Sequence, residues 1–137
     1  MMVRHYSIEL PAFGRGFHLI TDVILDQLPK LPVSGILQIF IQHTSAGLSI
    51  NENADPDVRH DFQLYFKHLA PENLPGIIHT DEGPDDMPAH VLASLMGSSV
   101  QIPIINGRLA LGRWQGIFLG EFRTSRRKRT VIITIIE

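Results

Sequence analysis

The sequence predicts an α+β fold with mixed, mainly antiparallel sheets and two to three helices. Three observations carry this: β-branched runs bounded by turn residues recur along the chain, two segments have helical apolar periodicity, and the two kinds come in mixed order. The 137 residues make one domain. A domain of this size buries roughly two thirds of its unfolded surface, enough for a core.

The elements follow in order. Val3–Leu10 alternates loosely and reads as a strand ending at Pro11. Thr21 and Asp22, followed by Val23, Ile24 and Leu28, read as a short helix stopped near Pro29 and Pro32. Gly35–Gln42 is a β-branched, aromatic strand, and Gly47–Ile50 a shorter one. The clearest helix starts at Asp55-Pro56, an N-cap followed by proline at the first helical position. Val58, Phe62, Tyr65, Phe66 and Leu69 form its expected apolar face, with His60 opposite. Pro71 to Asp86 is too rich in proline, glycine and asparagine for a regular element, and long loops in compact domains are often functional. A second helix is expected over Met87–Met96, with aspartates at its start and Gly97 as its stop. Val91, Leu92 and Leu95 are its expected core face, which turns His90 away from the core. Ser99–Ile105 turns at Asn106-Gly107, a hairpin signal, and Leu109–Leu111, Gln115–Phe122 and Thr130–Ile136 complete the strands.

Composition excludes several functional classes. The net charge is −2, giving no overall attraction to nucleic acid or anionic membrane. The absence of cysteine removes disulfides, thiolate metal sites and cysteine nucleophiles, and favours a reducing compartment. No apolar stretch approaches the ~20 residues that span a bilayer, and the start has no signal core, so a cytoplasmic location is expected. Arg123, Arg126, Arg127, Lys128 and Arg129 form the one basic cluster. Without interleaved aromatics it reads as a solvated hairpin turn.

Chemistry concentrates around three histidines. His43 lies in H-T-S-A at 43–46, His79 in H-T-D-E-G at 79–83 and His90 in D-D-M-P-A-H at 85–90. Separated histidines among hydroxyls and carboxylates suit a folded divalent-metal or acid–base site, and imidazole is the commonest metal ligand. Asp81, Glu82, Asp85 and Asp86 offer hard oxygen ligands for magnesium, with a solvated, helix-capping loop as the competing reading. Asn51, Glu52 and Asn53 are candidates for reading a ring edge; turn and cap chemistry explains Asn53 well and Glu52 less well. Thr44 and Ser45 can hold phosphate or support a ligand, Arg15 and Arg59 can pair with phosphate, and Trp114-Gln115 offers a stacking surface. No G-x-S-x-G elbow and no glycine-rich phosphate loop is present.

Long motifs in these same segments resemble one family. H-T-S-A-G-L-S-I-N-E-N-A-D-P-D-V-R-H-D at 43–61, D-E-G-P-D-D-M-P-A-H at 81–90, L-G-R-W-Q-G-I-F-L-G-E-F at 111–122 and R-G-F-H at 15–18 are similar to the YjbQ-like family, also called secondary thiamine-phosphate synthase. The resemblance implies an α+β fold, a homotrimer and a weak thiamine-phosphate synthase activity. That activity joins hydroxymethylpyrimidine diphosphate to thiazole phosphate and releases pyrophosphate. It also implies a metal at His43, His79 and His90, either zinc there or magnesium with the diphosphate. On this reading His43, Ser45, Glu52 and His90 are catalytic, while Thr44, Asn51, Asn53, Arg59, Trp114 and Gln115 hold a small phosphorylated substrate. One departure concerns the turn after Glu121, often E-F-D-G-P-R in the family and E-F-R-T-S-R here. A metal-dependent hydrolase and a non-enzymatic trimeric metal- or ligand-binding protein are the alternatives.

Overall fold

The computed structural model describes Met1–Glu137. Its elements are β1 (Val3–Phe13), β2 (Gly16–Leu19), α1 (Thr21–Leu25), β3 (Ser34–Ile41), β4 (Ala46–Glu52), α2 (Pro56–Leu69), α3 (Asp86–Met96), β5 (Ser99–Ile105), β6 (Arg108–Leu109), β7 (Gln115–Glu121) and β8 (Arg127–Ile136). The expected class is therefore observed: three helices, antiparallel sheets and a single domain. A five-stranded sheet has the order β1-β8-β3-β5-β6, and a three-stranded sheet the order β2-β7-β4.

The two sheets face each other through alternating β-branched and leucine side chains. Leu37, Ile39 and Ile41 of β3 and Val131, Ile133 and Ile135 of β8 meet Leu48, Ile117 and Leu119 of the smaller sheet in the main core. Each strand presents alternate residues to that core, as a period of two requires. Ile20 and Ile24, around α1, add to it. The helices α2 and α3 pack on the opposite face of the smaller sheet, α2 beside β2 and α3 beside β4. There Phe122, Leu92, Ala89 and Ala70 form a second core with Phe17, Phe66, Ala93 and Met96 against them. Phe66 stacks on Phe122 at 5.7 Å between centroids, and Phe17 meets Phe66 edge-on at 5.1 Å. Gly120 on β7 leaves the space that the Met96 thioether fills.

Several boundaries and faces differ from expectation. β1 runs past Pro11 to Phe13, because its pairing with β8 shifts register between Leu10 and Phe13 and absorbs the proline. β2 was not foreseen; its four residues pair with β7. On α2, Val58, Phe62 and Phe66 are partly buried, but Tyr65 is 71% exposed and Leu69 58%. The apolar stripe is wider than the face that the sheet covers. On α3 the buried residues are Asp86, Pro88, Ala89 and Leu92, while Val91 and Leu95 are exposed. The true core face is therefore rotated about one residue position from the expected one, and it begins with a carboxylate.

Candidate functional site

That carboxylate organises the site. Asp86 opens α3 on its buried face and is 1% exposed. A negative charge in the first turn suits the helix dipole, but a buried charge also needs partners. One turn later on the same side comes His90, whose Nε2 lies 3.1 Å from Asp86 Oδ2. The preceding loop brings His79, with Nε2 at 2.7 Å from the same oxygen. A turn at Gly83, with φ of 105°, lets the loop reach the helix start. The two imidazole centroids are 5.5 Å apart. One potential ligand atom from each of His79, Asp86 and His90 lies within 4.8 Å of the others.

The other carboxylate oxygen is occupied. Arg123 Nη1 donates to Asp86 Oδ1 at 2.6 Å, Nε to Asp85 Oδ2 at 2.8 Å, and Nη2 to the Glu82 carbonyl at 2.8 Å. Thr124 N–H also donates to Asp85 Oδ2, at 2.9 Å. For Asp85, burial opposes ionisation, but the Thr124 amide and Arg123 outweigh it and hold the carboxyl at about 2. For Asp86, burial again opposes ionisation, and contacts with His79 and Glu82 and the charges of His90 and Arg123 overcome it, so its pKa is lowered. Arg123 itself loses solvation on burial, yet Asp85 and Asp86 raise its pKa.

His90 Nδ1 lies 2.8 Å from the Thr44 carbonyl. A carbonyl only accepts, so Nδ1 carries the hydrogen and Nε2 of the neutral ring presents a lone pair toward Asp86. Such a bond on the far nitrogen is how metal-binding histidines are commonly oriented. Donors around tetrahedral zinc stand about 3.3 Å apart, so small side-chain rotations would seat an ion among these three atoms. Hard oxygen with two imidazoles suits zinc or a similar divalent ion better than magnesium.

Two clefts flank the cluster. His90 lines one of 320 Å³ with His43, Thr44, Ser94 and Ser98, and His79 lines another of 410 Å³ with Glu72, Thr80 and Met87. His43 was expected as the third ligand. It is outside the three-residue group, and its Nε2 accepts the Thr130 N–H at 2.8 Å. Burial lowers its pKa, helped by Arg129 and Arg127 and opposed by Glu121.

The remaining candidates lie elsewhere or are engaged. Ser45 is 6% exposed, and its hydroxyl accepts from Arg129 Nη2 at 2.9 Å, which gives it a structural role in place of the catalytic one expected. Arg129 is paired with fully buried Glu121 at 2.6 Å. The basic segment is thus not a solvated turn throughout: two of its arginines are internal. Glu52 Oε2 accepts the Asp55 N–H, at 2.8 Å, before α2. Asn53 donates to the Gln115 carbonyl at 2.9 Å, and Gln115 Oε1 accepts the Gly112 N–H at 2.7 Å, so both brace the strand ends. Trp114 is exposed, with Arg113 over its ring at 4.9 Å. Asn51, Glu52 and Arg59 border a slot between α2 and the smaller sheet, lined also by Phe17, Phe62, Phe66 and Phe118. Its 30 Å³ holds about two waters. Arg59 Nε is buried there without a partner.

The sequence offers Asp86 only as a possible magnesium ligand, and Arg123 only as a turn residue. The available signal was the i, i+4 spacing of Asp86 and His90, with the aspartate three and six residues before Ala89 and Leu92.

Relatives share this architecture. The chain is 46% identical over 131 residues to the UPF0047 protein YjbQ of Escherichia coli, covering 94% of each. It is 39% identical to the UPF0047 protein YugU of Bacillus subtilis over 72% of this chain and 73% of that one. Among solved structures, the conserved hypothetical protein TT1486 of Thermus thermophilus superposes with a TM-score of 0.82 at 35% identity, covering 93% of this chain and 97% of that one. The family described as UPF0047 protein YjbQ-like matches residues 6–137, and with these identities the chain belongs to that family.

Proposed function

We propose that the protein is an enzyme acting on a small phosphorylated substrate with a divalent ion held by His79, Asp86 and His90. One observation supports this above the others. Asp86 Oδ2 faces His90 Nε2 at 3.1 Å while the other ring nitrogen is committed to the Thr44 carbonyl. Two lone pairs do not face each other stably at that distance when one belongs to a buried carboxylate. A cation, either a metal or the proton of an imidazolium, belongs between them. The second imidazole on the same oxygen favours a metal.

The ion would supply positive charge for phosphate oxygens and a leaving group. The chain's own groups would do the positioning: Thr44, Ser94 and Ser98 line the cleft beside His90 and offer hydroxyls to a phosphate. The motif resemblance supports thiamine phosphate formation from hydroxymethylpyrimidine diphosphate and thiazole phosphate as the reaction. The homotrimer and cytoplasmic setting belong to the same proposal. Hydrolysis of a phosphorylated small molecule is the second reading, favoured by the engagement of Arg123 and Arg129. Both are spent on carboxylates and cannot also neutralise a departing diphosphate.

The test uses chelator-stripped protein reloaded with zinc, manganese or magnesium. One ion per chain should bind, and both activities are assayed with and without it. His79→Ala and His90→Ala should each lose binding and activity while remaining folded. Wild-type protein that binds no better than these variants, or thiamine phosphate formation that survives complete chelation, would overturn the proposal.

A further inference from the structure

A buried arginine stands directly behind the proposed centre. Arg123 is 7% exposed, and all three of its nitrogens have fixed acceptors: Asp85 Oδ2, Asp86 Oδ1 and the Glu82 carbonyl. Glu82 and Asp85 belong to the loop before α3 and Asp86 is its first residue, while Arg123 itself follows β7. Asp85 is held in turn by the Thr124 amide at 2.9 Å. The guanidinium is therefore set by several independent contacts and cannot drift without breaking more than one.

We propose, resting on the metal reading above, that Arg123 is a positioning residue that makes Asp86 a ligand through one oxygen. A free carboxylate beside a metal can turn and chelate with both oxygens. Here Oδ1 is taken by Arg123 at 2.6 Å, and only Oδ2 faces the two imidazoles.

Lysine cannot replace this arrangement. Its ammonium is a point charge and cannot hold two carboxylates and a carbonyl in one plane as the guanidinium does. The residue type is thus part of the inference, and the conservative variant separates charge from shape.

The experiment titrates chelator-stripped full-length protein with cobalt(II), reading visible absorption and, by chelator competition, affinity. Folding is checked by circular dichroism and thermal unfolding. Wild type should bind one cobalt with the intense bands of a low-coordinate site. Arg123→Lys should bind 10–100-fold more weakly, the usual effect of losing a group that orients a ligand. Its bands should also weaken, as Asp86 turns to use both oxygens and the coordination number rises. The double variant Asp85→Asn with Arg123→Gln keeps the net charge but loses the fork. It should show the same spectral change, and it decides the matter if Arg123→Lys does not fold. Folded variants with wild-type affinity and spectrum would overturn the role of Arg123 and leave the metal reading standing. If wild type binds cobalt no better than His79→Ala, the metal reading fails, and this inference fails with it.

Discussion

At the scale of single residues, the site is governed by which polar groups are buried. His43 illustrates this. It sits beside a cleft, yet its Nε2 is consumed by the Thr130 amide. Burial disfavours its protonated form, so the folded pKa lies below the ordinary 6.5. The unfolded chain then takes up a proton more readily than the folded one. The stabilisation is complete above pH 6.5 and erodes as the pH falls below it. Asp85 adds a second acid limb. Its stabilisation is present above 3.8 and is lost as the pH falls through about 2, a contribution on the order of 2 kcal/mol. Urea unfolding followed from pH 8 to pH 5 should show the first decline, and His43→Gln should flatten it. An unchanged slope in that variant would assign the decline to other histidines.

At the scale of elements, the packing of α2 and α3 on the smaller sheet fixes the distance between loop and helix start. Phe122 is 3% exposed at the centre of this layer. Phe122→Ala should cost ~3–5 kcal/mol, the usual range for deleting a core aromatic, measured by chemical denaturation. Phe62 sits at the layer's edge, tilted against Phe17 at 5.6 Å and only partly buried, so Phe62→Ala should cost clearly less. Equal costs would mean that α2 is more deeply covered in solution than in the single chain. His90→Ala should cost less still, since His90 flanks the buried face that Ala89 and Leu92 define.

At the scale of the whole molecule, apolar surface is left over. Leu64, Tyr65 and Leu69 on α2, Ile78 in the loop, and Leu95 on α3 are all more than half exposed. On the larger sheet, the face turned away from the core carries Ile36 and Phe40, 43% and 45% exposed, and no helix packs on that face. Surplus of this kind is what subunit contact covers. A trimer is the expected state, checked by light scattering at micromolar concentration. A monomer would remove the assembly from the proposal without touching the metal cluster, whose three residues come from one chain.

The sequence by itself determined the class of fold and the positions of its principal elements. Strand alternation, the Asp55-Pro56 helix start and the Asn106-Gly107 turn are local signals, set by backbone sterics and side-chain periodicity within a few residues. The family was also legible, because its motifs are contiguous. What only the tertiary structure decided was which groups meet. His79 and His90 lie together with Asp86, and His43 lies outside the group, because α3 is rotated to bury that carboxylate and β8 supplies an amide to His43. Ser45 and Arg129 became internal partners, and Arg123 became the support of Asp86, through contacts spanning 84 and 37 positions of chain. Periodicity finds the apolar stripe of a helix but not which part of it a sheet will cover. On α3 the covered part, where Leu92 and Met96 meet Phe122 and Gly120, is the side on which Asp86 lies.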